Sequence, residues 1–218
     1  MNLNKKGLLA SMLQNNFFNT NPFALPHTFK FDNGEYEVRT SFRNWIKLSL
    51  LYDDKTLSEE DKIPVALQLV FQDINKLFEA IKENKINLVD VFKAINKFFN
   101  CGNENKEESK NNDKYFDFKQ DWDYIYSAFM QQYKIDLNEE KLHWFKFISL
   151  FKGLSSETEF LKIIGYRSID LNKVPKDQRK FYRKMKEKYA LIDEYSIKEE
   201  ACLMDEDLEQ ILEKMKRG

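Results

Sequence analysis

The chain has 218 residues, of which 42% are hydrophobic and 15% aromatic, and its formal net charge is −1. This length and composition supply enough apolar surface for a folded core, which excludes a wholly disordered chain, and the near-zero charge excludes an overall electrostatic attraction for nucleic acid. Because its apolar runs end well short of the ~18 consecutive residues that a membrane span needs, we expect no transmembrane helix and no membrane partner.

The first predicted elements are an irregular N-terminal arm and a β-hairpin. Residues 1–26 contain no clean hydrophobic period, so the arm is expected to be irregular. Apolar and polar side chains then alternate on both sides of an Asp-Asn-Gly sequence at residues 32–34, which is a strong hairpin signal. Two strands alone are marginally stable, so the apolar face must rest on other elements. That face consists of Phe29, Phe31, Tyr36 and Val38.

Four helices are predicted between the hairpin and residue 101, because apolar residues there recur at helical spacing. Capping signals at Ser58 and Asn87 mark the starts of two of them, and the last is expected to stop at Gly102. The apolar positions are, in order, Phe42, Trp45, Ile46 and Leu50; the stretch from Pro64 to Phe71; Leu77, Phe78 and Ile81; and Leu88, Val91, Phe92, Ile95, Phe98 and Phe99.

Residues 102–114 are the one candidate boundary inside the chain. This stretch contains no apolar side chain, so it is predicted to be a mobile connector that proteases cut first. The predicted organisation is an arm (1–26), a hairpin with helices (27–101), the connector (102–114) and a second helical half (115–218). The predicted fold class is mainly α, a multi-helix domain with a small N-terminal β-hairpin.

The second half is predicted to contain helices throughout. Helical spacing links Trp122 to Tyr133, and another helix is expected after a cap at Asn138. Serine and glutamate three residues apart predict two further starts, at Ser156 and at Ser196. Between these starts, a proline sets the first turn of one more helix. Its positions are Pro175 and the apolar stripe Phe181, Met185 and Tyr189.

A basic segment and an acidic segment follow one another near the C-terminus. Two solvated faces are the simpler interpretation, since exposed ion pairs contribute little. The functional interpretation is that the acidic amphipathic helix, residues 196–216, docks on the basic helix of its own chain or of a neighbouring copy. The basic residues are Lys173, Lys176, Arg179, Lys180, Arg183, Lys184, Lys186 and Lys188, and the acidic ones are Asp193, Glu194, Glu199, Glu200, Asp205, Glu206, Asp207 and Glu209.

Residues that could carry catalysis are few and isolated. Cys101 and Cys202 have no zinc or redox spacing, and His27 and His143 lie in no nucleophile motif. The acids within 136–140 fit a helix start better than a nuclease site, and the scattered glycines form no phosphate loop. We therefore expect no catalytic residue, no cofactor and no metal, which argues against an enzyme.

Five stretches of the second half resemble one known family when they are taken in order. They are YFDF at 115–118, IDL at 135–137, LHWFKF at 142–147, YRSIDL at 166–171 and FYRKM at 181–185. Together they resemble the bacteriophage gene-product-fifteen family of phages and prophages of Gram-positive bacteria. The chain departs from the pattern at Trp144-Phe145, where the family commonly has two tryptophans. The genes of this family typically lie in the tail region, near the gene for the tape-measure protein.

The resemblance implies a role in tail morphogenesis. The position of the family's genes then leads us to expect a tail assembly chaperone that shields tape-measure helices in the cytoplasm of the bacterial host. Tail-tube subunits and a second copy of the chain are the other expected partners. The alternatives are a structural subunit of the finished tail and a small nucleic-acid-binding helical protein, although the adjacent acidic segment argues against phosphate. The predicted partner-binding residues are Trp122, Tyr126, His143, Trp144, Phe145, Phe151, Arg167, Arg179, Arg183, Lys184, Leu208 and Ile211.

Overall fold

The fold begins with the predicted hairpin. In the computed structural model, strand β1 (Thr28–Phe31) pairs antiparallel with strand β2 (Gly34–Glu37), and Phe29 lies opposite Tyr36. The φ of Gly34 is 143°, a conformation that side chains with a Cβ rarely adopt, so glycine suits this turn. One face of the hairpin is buried because the Phe29 ring packs on helix and loop residues of the first half.

The structure describes residues 24–102 and 114–192. Most of the predicted arm (1–23), nearly all of the predicted connector (103–113) and the predicted acidic helix (within 193–218) lie outside the described residues. The predicted division of the chain into four segments therefore stays a prediction.

Four helices follow the hairpin, as the apolar periodicity predicts. Their starts use the expected caps: the Ser58 hydroxyl accepts the Asp61 N–H at 3.1 Å, and the Asn87 side chain accepts the Val89 N–H at 2.8 Å. The helix after Asn87 ends where Gly102 donates its N–H to the Lys97 carbonyl at 2.8 Å. The helices are α1 (Phe42–Asp53), α2 (Glu59–Val70), α3 (Ile74–Lys82) and α4 (Leu88–Phe99).

Four more helices form the second half in the described residues. The first of them follows the predicted spacing. The predicted start of the last one at Pro175 is wrong: the helix begins four residues later, because residues 175–178 form a turn in which the Pro175 carbonyl accepts the Gln178 N–H at 3.0 Å. The described part of the chain is therefore mainly α with a small hairpin, as predicted. The four helices are α5 (Trp122–Tyr133), α6 (Trp144–Lys152), α7 (Glu159–Ser168) and α8 (Arg179–Lys188).

The predicted cap at Asn138 is wrong, because α6 is capped by His143 instead. The Asp136 carboxylate accepts the Asn138 N–H at 2.8 Å, which forms a tight turn in place of a helix start. After this turn the backbone reaches His143, which forms an isolated antiparallel bridge with Ser41 of the first half. The acids within 136–140 therefore belong to a turn.

The predicted cap at Ser156 is also displaced. Helix α7 is capped by Thr158, whose hydroxyl accepts the Leu161 N–H at 3.4 Å. Before it, Ser155 accepts the Glu157 N–H at 3.2 Å through its side chain and the Thr158 N–H at 3.0 Å through its carbonyl. This local turn competes with the helix and moves its start by two residues.

The two halves of the chain meet along the residues that precede α1 and α6. Phe42 donates its N–H to the Leu142 carbonyl at 3.1 Å, and Trp144 donates its N–H to the Thr40 carbonyl at 2.7 Å. The Arg43 guanidinium donates to three carbonyls of the 136–140 turn region, at 2.6 to 3.0 Å. These bonds satisfy backbone groups that neither helix can satisfy internally, so they fix the relative position of the halves.

One aromatic ring sits at the centre of the shared core. Phe147 is fully buried and stacks on Phe42 of the first half at 4.8 Å and on Phe129 of the second half at 5.3 Å, centroid to centroid. Trp45 and Trp144 are also buried, and each donates its indole N–H to a backbone carbonyl at 2.8 and 2.9 Å respectively. Most of the aromatic content of the described chain therefore serves packing between elements.

Candidate interaction surface

The predicted aromatic anchors lie in or against the core. Trp144 is 1% exposed, so it offers no surface to a partner in this conformation. Trp122, Tyr126, Phe145 and Phe151 are half-buried and pack against the same core. Sequence periodicity cannot separate such residues from surface anchors, because both have the same apolar spacing.

His143 is a buried structural residue. Its Nδ1 accepts the Phe145 N–H at 3.1 Å and its Nε2 lies 2.9 Å from the Pro26 carbonyl, so the neutral tautomer with a proton on Nε2 satisfies both contacts. Burial lowers the pKa of the imidazole below its usual value of 6.5, with His27 and Lys146 acting in the same direction. His143, which is one of the predicted partner-binding residues, is therefore enclosed by its own chain in this structure.

Arg167 holds three segments of the second half together. Its guanidinium donates to both carboxylate oxygens of Asp121, at 2.7 and 2.8 Å, and its remaining bonds go to the carbonyls of Tyr115 and Tyr189. The side chains of Arg167 and Asp121 are 9% and 2% exposed. With these bonds made inside the protein, Arg167 acts as a largely buried connector between the three segments.

Asp121 is the residue of this pair that the sequence did not single out. It precedes α5, where an aspartate is expected to cap the helix, but its side chain caps no helix N–H. Its carboxylate accepts the Asp117 N–H at 2.9 Å and turns to Arg167, which is 46 residues away in the chain. No local pattern could have revealed this partner.

Helix α8 packs on α7 through a cluster of rings. Tyr166 of α7 lies 5.9 to 6.3 Å, centroid to centroid, from Phe181, Tyr182 and Tyr189. The inner side of α8 is fixed by Arg179, which donates to the carbonyls of Val174 at 2.8 Å and Asn172 at 3.1 Å. Arg179 therefore braces the loop before α8.

The outer side of α8 is exposed and basic. Lys180, Arg183 and Lys184 are exposed, and none of them forms a hydrogen bond or ion pair with the described residues. Phe181, which is 52% exposed, borders these cations. We call Lys180, Phe181, Arg183 and Lys184 the α8 face. Of the predicted partner-binding residues, the structure brings Arg183 and Lys184 together here, while Leu208 and Ile211 lie outside the described residues.

A cleft of about 610 Å³ is lined by Arg167 together with residues that include Lys114 and Lys186. Its cations are already engaged: Lys114 bonds Asp53 and Asp117 at 2.7 Å each, and Lys186 donates to the Ile169 carbonyl at 3.0 Å. The cleft therefore offers few free polar groups to a small ligand.

Within residues 24–102 and 114–192, no group of three or more His, Cys, Asp or Glu side chains could hold a metal ion. No helix of that same part of the chain is long and apolar enough to cross a membrane.

Comparison with protein families identifies the chain. The model of the bacteriophage Gp15 protein family matches residues 24–191, a range that runs from the hairpin through α8. The chain belongs to the bacteriophage Gp15 protein family. This Gp15 protein is thus a phage protein, and the matched range ends before the acidic C-terminal segment. No curated protein and no solved structure matches it.

Proposed function

We propose that this Gp15 protein is a non-enzymatic tail assembly chaperone, which shields helical segments of the tape-measure protein in the host cytoplasm until the tail tube assembles around them. The proposal is supported by membership of a phage family, and the tail-module role is carried over from what the sequence resemblance implies. The exposed α8 face is the observation that carries the choice of binding surface.

The α8 face combines the two features that a helical ligand needs. Phe181 supplies an apolar ring that is 52% exposed, and Arg183 and Lys184 supply charges beside it. An amphipathic helix could place apolar side chains on the ring and acidic side chains against the cations. The ring would contribute most of the affinity, while the charges would set orientation and the rate of association.

Shielding follows from the physics of the expected ligand. A long helical chain exposes an apolar stripe until its partners cover it, and an uncovered stripe of this kind promotes aggregation. A chaperone that covers single turns of the stripe with modest affinity can be displaced when tube subunits arrive.

The test is capture of tape-measure segments by paired variants. The variant F181A/R183E should bind segments of the tape-measure protein encoded by the same phage about tenfold or more weakly than the unchanged protein. The matched control is F78A/K82E on α3, where Phe78 is 43% exposed and Lys82 is also exposed. It makes the same chemical changes elsewhere and should bind normally.

Three results would contradict the proposal. Equal capture by F181A/R183E and F78A/K82E would show that the α8 face is not the binding surface. Stoichiometric Gp15 protein in purified virions would favour a structural subunit of the tail. Tight DNA binding whose affinity falls steeply with salt, and which R183E weakens, would favour the nucleic-acid alternative.

A further inference from the structure

The α8 face carries positive charge that the described residues do not balance. Helix α8 contains six basic residues and one acidic residue, Glu187. Arg179 and Lys186 bond backbone carbonyls, and Lys188 lies 3.2 Å from the Tyr189 hydroxyl. The remaining three cations, at positions 180, 183 and 184, point to solvent with no acidic partner in the described parts of the chain.

The chain leaves the described structure beside this helix. Gln120 holds Ile192 through two hydrogen bonds: its Nε2 donates to the Ile192 carbonyl at 2.8 Å and its Oε1 accepts the Ile192 N–H at 2.9 Å. Three residues earlier, the Tyr189 carbonyl accepts a bond from Arg167. Residue 193 therefore starts from a fixed point just beyond the C-terminal end of α8.

The sequence after that point has the opposite charge. Residues 193–218 contain nine acidic and four basic side chains. Apolar residues recur at alternating steps of four and three, at positions 197, 201, 204, 208, 211 and 215. The α8 face presents an apolar ring flanked by cations, and the segment after it carries apolar residues flanked by acids. The two are therefore complementary both in apolar character and in charge.

We propose that residues 193–218 cover the α8 face of the same chain. The attachment at Ile192 favours this contact over one between two copies. A short tether holds its end at an effective concentration of about 1 mM, whereas a second copy is present at only about 10 µM in a typical assay. Residues 193–218 are long enough to reach the whole α8 face, because α8 is ~15 Å long and each extended residue spans ~3.3 Å.

If the proposed function holds, residues 193–218 and a tape-measure helix compete for the same α8 face. A tape-measure helix would then have to displace the acidic segment, so capture would be weaker than the α8 face alone allows. The contact within the chain does not depend on that function, and its test uses no tape-measure protein.

The test is carbodiimide cross-linking of the full-length protein, which joins a lysine amine to a carboxylate that touches it. Equal amounts of ¹⁴N- and ¹⁵N-labelled protein are mixed before the reaction, and cross-linked peptides are identified by mass spectrometry. We expect links from Lys180 or Lys184 to acids of 193–218, with both peptides carrying the same isotope label. Their yield should fall as salt is raised towards 1 M, where the Debye length is ~3 Å.

A pair of charge reversals tests the role of the cations. R183E reverses a charge in the middle of the α8 face without removing either reporter lysine, so it should lower the cross-link yield about threefold or more. K82E reverses a charge at an exposed position of α3 and should leave the yield unchanged. Peptide pairs of mixed isotope label would show that a second copy is the occupant and overturn the proposal. So would the absence of these links, or an equal yield from R183E and K82E.

Discussion

The Arg167–Asp121 pair allows the sharpest prediction about stability. Substitution of Arg167 by Met keeps much of the side-chain volume but removes the guanidinium. The Asp121 carboxylate, which is 2% exposed, then loses both hydrogen bonds from the guanidinium and stays buried without its cation. Removing one partner of a buried ion pair typically costs 3–5 kcal/mol. We therefore expect R167M to lower the free energy of unfolding by about 3–5 kcal/mol.

A second substitution separates the stranded charge from the lost packing. In the unchanged protein the Asp121 carboxylate accepts the Asp117 N–H at 2.9 Å. In D121N/R167M the amide oxygen of the new asparagine can still accept this N–H, but no charge is left unpaired. We expect the double variant to be more stable than R167M by about 1–3 kcal/mol. The backbone carbonyls of Tyr115 and Tyr189 lose the same donor in both variants, so their cost cancels in the comparison.

Urea unfolding at pH 7, followed by circular dichroism, measures both effects. The control is K173M, because Lys173 lies 3.8 Å from Asp170 in a pair whose side chains are 86% and 47% exposed. An exposed pair of this kind contributes little, so K173M should change stability by less than about 1 kcal/mol. If R167M is no more destabilising than K173M, or if D121N adds to its cost, the pair does not hold the three segments together.

Three further predictions concern the core. Burial lowers the pKa of His143 below 6.5, so as the pH falls the unfolded chain takes up a proton at this residue before the folded chain does. The contribution of His143 to the free energy of unfolding should therefore be constant above its usual pKa and decline as the pH drops from about 6.5. In urea titrations H143N should lack this share of the decline. The substitution F147A removes the central ring of the core and should cost about 3–5 kcal/mol, whereas F78A, at a 43% exposed position, should cost under about 1 kcal/mol. Partial burial raises the pKa of the Cys101 thiol to about 11, so in a C202S background its reaction with a thiol reagent should be slow at pH 8 and accelerate steeply as the pH approaches 11. Rapid reaction at pH 8 would refute this effect of partial burial.

Most of the helices and both strands can be predicted from local features of the chain. The Asn-Gly turn with alternating side chains predicted the hairpin, and capping residues such as Ser58 and Asn87 predicted helix starts that the structure has. These signals succeed because the interactions behind them span only two to four residues. The same holds for the family, whose model matches residues 24–191 through patterns that are read along the chain.

The wrong starts arose where a nearby turn competed with the helix. At Asn138 and Ser156 the residue type is right for a cap. However, the carbonyls of Asp136 and Ser155 accept the N–H groups of Glu140 and Thr158, which those caps could otherwise bond. Both outcomes are local and nearly equal in energy, so contacts elsewhere decide between them. For α6, the decision comes from the extended pairing of His143 with Ser41, about a hundred residues earlier in the chain.

The roles of the predicted binding residues could be read only from the tertiary structure. Apolar spacing placed Trp144 and Phe181 equally on helices, yet packing buries Trp144 to 1% exposure and leaves Phe181 52% exposed. Their positive charge likewise made Arg167 and Arg183 equal candidates for partner binding. In the structure Arg167 is paired with the buried Asp121, whereas Arg183 faces solvent. The sequence determined which residues could form helices and which could carry charge. Which of several apolar or charged residues becomes enclosed depends on contacts between residues far apart in the chain, and local spacing does not specify those contacts.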